Sequence, residues 1–229
     1  MLEGIIGLIV TTLLYAMIVL LVLWFSDVEK MEPITKLLTA FVLGFASLLI
    51  AASIESTFTL WGIAATSVFM VVIVAPIAEE LAKIEMVREF EREMDEPEDA
   101  LIYGGSVALG FAFLENVLYI VTYSMELEYF TLIDLAMERM VFCIPAHITA
   151  TVTGAAVYYY FRKTSSPPLE SYIISIIPAA IIHSFYNMVA LTGNLLVLSI
   201  IVAVYVALTF MVWWLLRSMS ATFQLTTKF

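Results

Sequence analysis

Residues 101–123, LIYGGSVALGFAFLENVLYIVTY, form an apolar stretch that contains one charged side chain, Glu115. About 20 apolar residues in a helix cross the hydrocarbon core of a bilayer, so this stretch is long enough to span it. A charged group at that depth costs on the order of 3 kcal/mol and is expected to face a protein-lined cavity. The stretch therefore predicts a transmembrane helix that carries a functional acid.

Six further stretches are apolar and long enough to span: 4–25, 37–54, 58–78, 132–161, 172–191 and 195–216. Hydrophobic residues make up 62% of the 229 residues and charged residues only 14%, too few to cover a soluble domain. The predicted fold class is an all-α polytopic membrane helix bundle with about seven transmembrane helices. Because neither an internal repeat nor a linker is visible, residues 1–229 are interpreted as a single membrane domain.

Basic residues predict the orientation of this bundle in the cell membrane. Nine of the ten lie on one side of the predicted spans, and only Arg139 lies on the other. The positive-inside rule then puts the N-terminus outside and the C-terminus in the cytoplasm. The net charge of −11 comes without a basic footprint, so the expected surroundings are the lipid bilayer and no nucleic acid. The nine residues are Lys30, Lys36, Lys83, Arg88, Arg92, Arg162, Lys163, Arg217 and Lys228.

One segment, residues 84–99 with the sequence IEMVREFEREMDEPED, looks soluble. Its mixed charges at helical spacing predict a cytoplasmic extension of the third helix, which ends at Glu96 because the residue before a proline disfavours the helical region. A role in gating the access of a substrate is a second interpretation.

Glu79, Glu80 and Lys83 lie together at the end of the third apolar stretch. On a helix, a lysine three and four residues after two carboxylates reaches both. Two carboxylates beside a fixed cation can differ in protonation, so that one acts as a general base while the other accepts hydrogen bonds. A capping and interface cluster is the alternative, because structural ion pairs perturb titration in the same way.

Glu115 and Asn116 lie in the middle of the fourth apolar stretch, with Phe111 one helical turn earlier. Small residues such as Gly104 and Gly110 let another helix approach, so Glu115 is either catalytic or a polar contact between helices. By helical rise, Glu79 and Glu80 lie near the cytoplasmic edge of the membrane and about 20 Å from the depth of Glu115. A kink at Pro76 or a cytoplasm-facing cavity would bring the acids together.

Both histidines also lie in apolar stretches. His147 precedes Gly154 by two helical turns, on a face where a neighbouring helix can approach. His183 and Asn187 are one turn apart, so the carboxamide could orient the imidazole, or both could donate to a developing oxyanion. A lone buried histidine is more often structural. Two histidines, three acids and an asparagine on different helices instead predict one polar site.

The order of these residues is similar to the order of four short motifs in one family. The chain resembles the PrsW family of intramembrane proteases, which are related to the CAAX prenyl proteases, over residues 76–187. The matching segments are Glu79-Glu80-Leu-Ala-Lys83 (EExxK), Phe111-Ala-Phe-Leu-Glu115 (FxxxE), Pro145-Ala-His147 with Gly154, and His183-Ser-Phe-Tyr-Asn187 (HxxxN/D).

The resemblance implies a glutamic-type intramembrane peptidase that hydrolyses a peptide bond in a membrane-anchored protein, such as an anti-sigma factor. It implies that Glu79 and Glu80 supply the general base for water. It places His147 in the same centre and gives oxyanion stabilisation to His183 with Asn187. Glu115 stands where CAAX proteases carry histidine, so activity on prenylated substrates is not expected. The expected supporting residues are Lys83, Phe111 and Asn116.

We expect this site to work without a metal or cofactor, because its motifs lack the HExxH spacing of zinc peptidases. Zinc is the alternative, since glutamate and histidine are zinc ligands and three of them with an open position make a catalytic site. A non-catalytic membrane scaffold would also explain buried histidines, but Glu79 and Glu80 are both intact. A proton-coupled transporter would likewise carry acids in its helices, although no inverted repeat is detected.

Overall fold

A computed structural model describes residues 2–27, 30–164 and 166–226, so Lys228, which the orientation argument used, lies outside the described residues. Within those ranges the chain folds into helices and contains no strand. The α-helices are α1 (Leu2–Ser26), α2 (Ile34–Leu60), α3 (Ala75–Arg88), α4 (Asp99–Tyr123), α5 (Tyr129–Glu138), α6 (Ile144–Lys163), α7 (Pro168–Ala190) and α8 (Leu195–Thr226).

Helices α1, α2, α4, α7 and α8 are each long and apolar enough to cross a membrane. So is the continuous helical rod 129–163, in which α5 and α6 are joined by a π-helical turn, Arg139–Cys143. These six segments confirm the all-α polytopic bundle. The 14-residue helix α3 is too short to be counted with them.

The predicted third span, 58–78, is wrong as a single helix. Helix α2 continues to Leu60, and the chain then leaves the helical path between Trp61 and Ser67. Gly62 has φ of 90°, a left-handed conformation that glycine adopts without strain. A π-helical turn, Met70–Val74, then leads into α3. The break was invisible to hydropathy because the residues that form it are themselves largely apolar.

The predicted extension of the third helix to Glu96 is also wrong, because α3 ends at Arg88 and turns follow it. Phe90 and Met94 in these turns are buried in one cluster with Tyr103 of α4, and the Phe90 ring stacks on Tyr103 at 4.4 Å. A straight helix would hold both apolar side chains away from α4. Their burial therefore explains why the chain folds back.

Helix α4 packs closely against α2 through two glycines. A Cβ on Gly110 would lie 1.8 Å from the backbone oxygen of Phe41, and one on Gly44 would lie 2.3 Å from that of Val107. The two backbones are therefore in direct contact, as the small residues of α4 predicted.

Most basic residues lie in or beside the turns at one end of the bundle, which we call the basic end. There Lys36 lies 2.6 Å from Glu93, and Arg162 lies 2.7 Å from Glu91. The opposite end holds the C-termini of α2, α4 and α7. By the positive-inside rule, the basic end is the one expected in the cytoplasm.

Candidate active site

Glu79 and His147 both lie near the start of their helices. Each follows a π-helical turn, and each helix has a proline in its first turn. Proline has no N–H to donate to the preceding turn, which favours the wider π geometry there. The two widened turns direct the polar side chains of α3 and α6 toward each other in the middle of the bundle.

Lys83 is the cation at the centre of this polar cluster and has no solvent exposure. Its Nζ lies 2.6 Å from Glu80 Oε1, 2.9 Å from His147 Nδ1 and 3.6 Å from Glu79 Oε2. It also lies 4.2 Å from the centre of the Phe111 ring. Lys83 and Phe111 therefore both lie within the polar cluster.

Glu80 is fully buried and each of its carboxylate oxygens has a partner. Oε1 accepts from Lys83 and lies 2.9 Å from His183 Nδ1, while Oε2 accepts from the hydroxyl of Thr151 at 2.8 Å. With a lysine so close, the carboxylate is held as an anionic acceptor. Glu80 is therefore placed to orient His183 and Lys83.

The contact with Glu80 assigns the tautomer of His183. Because the carboxylate only accepts, Nδ1 is the nitrogen that donates, and Nε2 keeps a lone pair in the neutral ring. Lys83 disfavours a second positive charge on the imidazole. His183 Nε2 points toward Glu79 Oε2 at 3.8 Å, so two acceptors face each other across a gap.

The spacing of His183 and Asn187 suggested that the carboxamide orients the imidazole. In the structure, Asn187 bonds elsewhere. Its Nδ2 donates to the backbone oxygen of Val71 at 2.9 Å. This bond ties α7 to the π-helical turn before α3. It leaves one amide hydrogen of Asn187 for another acceptor.

Glu115 joins the cluster from α4. Its Oε2 lies 3.1 Å from His147 Nε2 and 2.7 Å from Arg139, which also donates to Asn116 Oδ1 at 2.8 Å. Cys143 is buried beside them, with Sγ 3.7 Å from Glu115. The structure thus brings Glu115 and Glu79 to the two sides of His147. The predicted 20 Å separation is wrong, because α3 begins nearer the opposite end than hydropathy indicated.

Arg139 is the residue that sequence reasoning missed. Its guanidinium is paired with Glu115 and lies 3.6 Å from the centre of the Tyr119 ring. The available indication was its position, since it was the one basic residue on the wrong side of the bundle. A cation that breaks the positive-inside pattern inside an apolar stretch needs an internal partner.

A cavity of about 600 Å³ exposes part of this cluster. It extends toward the end of the bundle opposite the basic end. Its mouth is lined by α2, the turn after it and the end of α7. The polar residues in its lining include Glu55, Glu79, Glu115, Arg139, His147, His183 and Asn187.

Glu79 Oε2 stands out within this cavity. The atom is buried and has no hydrogen-bond partner among the described residues. Its neighbours are Lys83 Nζ at 3.6 Å, His147 Nδ1 at 3.8 Å and His183 Nε2 at 3.8 Å. A buried acceptor without a donor is costly, by about 1–3 kcal/mol, unless a small donor or a cation occupies the gap.

Three of these residues also fit a divalent metal. One ligand atom each from Glu79, His147 and His183 lies within 4.8 Å of the others, and one glutamate with two histidines is a set found in zinc peptidases. Glu80 would orient His183 for such a metal, as outer carboxylates often do. Lys83 is the feature that fits less well, since its ammonium group already donates to His147 Nδ1.

Comparison with known proteins shows which family the chain matches. A family model described as PrsW family intramembrane metalloprotease matches residues 32–216. The match begins before and ends beyond the motif-bearing core, residues 76–187. It therefore includes α2 and most of α8, where the sequence offered no motif. No solved structure matches the chain.

Three curated relatives share the name Protease PrsW. The relative from Geobacillus kaustophilus is 30% identical over 143 residues, which cover 61% of this chain and 59% of the relative. The relative from Oceanobacillus iheyensis is 25% identical over 69% of this chain and 71% of its own length. The one from Clostridioides difficile is 25% identical over 69% of this chain and 68% of its own. The chain thus spans less than two thirds of the first of these relatives.

Proposed function

The chain belongs to the PrsW family, and we propose that it hydrolyses a peptide bond of a membrane-anchored protein in the cavity beside Glu79. The names of the relatives supply the class of activity, and the cavity supplies a polar site of sufficient size for a short peptide segment. The resemblance in sequence suggests an anti-sigma factor as the kind of substrate.

One observation carries the proposal: Glu79 Oε2 and His183 Nε2 face each other as two acceptors at 3.8 Å inside the cavity. A water molecule has two donors and complements such a pair. Its oxygen lone pair would then be free to face a carbonyl carbon in the cavity. This is the arrangement that general-base catalysis of hydrolysis requires.

In the reaction, the water oxygen forms a bond to the carbonyl carbon while Glu79 takes one proton. Glu79 then returns that proton to the nitrogen of the leaving amine as the peptide bond breaks, so the carboxylate is regenerated. A positioned base of this kind contributes about 10²–10⁴ in rate. Glu79 therefore serves first as general base and then as general acid.

The developing oxyanion needs donors that are already in place. Asn187 lines the cavity and keeps one amide hydrogen beyond the bond to Val71. We retain Asn187 as an oxyanion donor and reassign His183. Because His183 donates through Nδ1 to Glu80, its Nε2 is suited to accept from water.

Glu80, Lys83 and Thr151 act behind the reacting groups. Together they fix the ring of His183 and hold a positive charge 3.6 Å from Glu79. A fixed cation at that distance attracts the carboxylate that must accept a proton. Glu80 is thus a positioning residue in this proposal.

A metal-dependent form of the same hydrolysis is the second candidate. The donor set of Glu79, His147 and His183 favours it, as does the family description. A zinc ion held by these residues would supply Lewis-acid activation of water. We place the metal-free form first because Lys83 donates to His147 Nδ1 and would repel a divalent ion bound there.

The direction of the cavity predicts where the substrate is cut. If the basic end lies in the cytoplasm, the cavity opens toward the outer face of the membrane. The substrate bond would then lie near the outer end of its transmembrane segment. The orientation is itself part of the proposal and can be tested by labelling of engineered cysteines from one side.

Cleavage by the purified protein is the first test. Wild type and Glu79→Ala are incubated in detergent micelles with a panel of single-span membrane proteins, and products are mapped by mass spectrometry. We expect wild type to cut at least one substrate and the variant to cut none. Equal cleavage by both would mean a contaminating protease. A panel that stays intact under both would favour the scaffold or transporter alternatives.

Metal dependence is tested on the active preparation. The metal-free form predicts that a strong chelator leaves the rate unchanged and that elemental analysis finds no zinc that tracks activity. Loss of activity with a chelator and recovery with zinc would establish the second candidate. Excess zinc is expected to inhibit a metal-free enzyme by binding Glu79 and the histidines.

A further inference from the structure

A second polar cluster lies at the basic end, where the turn after α1 meets the turn before α4. We call it the acidic junction. It is remote from the cavity, and no step of the proposed hydrolysis uses it. Its members are Asp27, Glu32, Asp95, Glu96, Glu98 and Asp99.

These carboxylates are close together and mostly buried. One oxygen each from Asp27, Glu96 and Glu98 lies within 4.8 Å of the others. A second trio, built from Glu32, Asp95 and Asp99, meets the same criterion beside it. Four of the six side chains are buried, and Glu98 and Asp99 have no solvent exposure at all.

In Asp27 and in Asp99, one carboxylate oxygen accepts a backbone hydrogen bond and the other does not. Asp27 Oδ2 accepts the backbone N–H of Glu32 at 2.5 Å, and Asp99 Oδ2 accepts that of Glu96 at 2.8 Å. The other oxygen of each aspartate is buried and has no hydrogen-bond partner among the described residues. Buried carboxylate oxygens in this state are rare in folded proteins and call for a ligand or a proton.

Two lysines pair with acids at the rim of the junction. Lys30 pairs with Asp95, and Lys36 pairs with Glu93 at 2.6 Å. Carboxylates this close repel one another, and a cation bound among them removes that repulsion.

We propose that the acidic junction binds a divalent, oxygen-preferring metal cation, Ca²⁺ first, through Asp27, Glu96 and Glu98. Carboxylate ligands alone suit a hard cation, and Ca²⁺ tolerates irregular geometry better than Mg²⁺ does. Glu32 and Asp99 add negative charge beside the site. The bound cation ties the α1–α2 turn to the start of α4 and so stabilises the basic end.

Two aromatic side chains make this site measurable with Tb³⁺ as a probe. Trp24 Nε1 donates to the backbone oxygen of Glu32 at 2.8 Å, and the hydroxyl of Tyr103 donates to the Glu32 carboxylate. Excitation of these rings should sensitise the emission of Tb³⁺ bound at the junction. Purified protein is titrated with Tb³⁺ in micelles, and Ca²⁺ and Mg²⁺ are then added as competitors.

The wild type should show saturable emission that Ca²⁺ displaces at lower concentration than Mg²⁺. Asp27→Asn should weaken Tb³⁺ binding at least tenfold, whereas Glu126→Gln, an exposed acid at the opposite end, should leave it unchanged. Trp24→Phe should lower the emission at saturation without moving the midpoint. That last result places the bound ion at the junction and separates it from any ion bound in the cavity.

Thermal unfolding covers the case in which Asp27→Asn does not fold. A cation that binds only the folded protein raises the melting temperature of wild type, so Ca²⁺ should stabilise it relative to EDTA. Equal emission from wild type and Asp27→Asn would overturn the proposal. So would a melting temperature that is the same in Ca²⁺ and EDTA, since the acids would then be balanced by protons.

Discussion

The cluster around Lys83 and the acidic junction show two ways in which this bundle buries carboxylates. In the first, Glu80 lies 2.6 Å from the buried Lys83, and Glu115 lies 2.7 Å from the partly buried Arg139. In the second, acids outnumber the lysines and the lysines lie at the surface. The difference shows that in the middle of the bundle the charge of a buried carboxylate is balanced by a basic side chain of the same protein. At the basic end, we propose that a bound cation provides the compensation.

Glu79 is the exception within the compensated cluster. It lies next to Glu80 in sequence, yet its Oε2 has no hydrogen-bond donor among the described residues and faces the cavity. Glu80 and Glu115 are in close ion pairs, whereas Glu79 is 3.6 Å from Lys83 and faces the cavity, which marks it as the place where a substrate or water enters. The following variants compare the effects of these acids and their partners on melting temperature and turnover.

Removal of Lys83 should have the largest effect. Lys83→Met leaves the fully buried Glu80 without its cation. Removal of one partner of a buried ion pair lowers the free energy of unfolding by about 3–5 kcal/mol. The measurement is the melting temperature of the purified protein in micelles. Lys30→Met is the matched control at the junction, where an exposed pair should change little. Equal losses in both variants would contradict the comparison.

His183→Ala should lower turnover by about 10²-fold or more, because the side chain acts on the attacking water. The half-saturation concentration of substrate should stay near that of wild type. Asn187→Ala should have a milder effect, since it removes one oxyanion donor and one contact to the turn before α3. Turnover and half-saturation are measured separately for each variant. A defect in affinity alone would refute the role of His183 in catalysis.

Gly110→Ala tests the packing that holds both regions in one bundle. The added Cβ would meet the backbone of Phe41, and overpacking of this kind costs about 1–3 kcal/mol or more. A fall in melting temperature is therefore expected. Gly7→Ala is the control, because a Cβ there meets nothing within 4 Å. An unchanged Gly110→Ala protein would mean that α2 and α4 are less tightly packed than described.

The smallest change in melting temperature is expected from Asp27→Asn in the presence of EDTA. The pKa of Asp27 is raised in the folded protein above its ordinary value of 3.8. Its ionisation therefore destabilises the fold progressively as pH rises through the window between the two values. The variant should melt slightly above wild type at neutral pH and equally at pH below that window. A variant that melts lower than wild type in EDTA would contradict the repulsion that the junction implies.

The sequence predicted the class of fold better than the arrangement of the helices. Hydropathy located the helices, but it placed a span over 58–78 because the break after Leu60 is apolar too. That error displaced Glu79 toward the membrane edge. Short motifs singled out Glu79, Glu115, His147 and His183, and the structure brings these four side chains together. Partners such as Arg139 with Glu115, or Thr151 with Glu80, depend on how helices pack, which local spacing does not contain.

The adjacent acids Glu79 and Glu80 give the most direct test of the account. Glu79→Gln and Glu80→Gln are purified in parallel, and single-turnover cleavage and melting temperature are measured on each. We predict that Glu79→Gln loses cleavage by about 10²-fold or more and keeps the melting temperature of wild type, since no hydrogen bond to Oε2 is removed. Glu80→Gln should instead melt lower, because Lys83 loses its nearest anionic partner. Full cleavage by Glu79→Gln, or unfolding of that variant alone, would contradict the claim that Glu79 is the base.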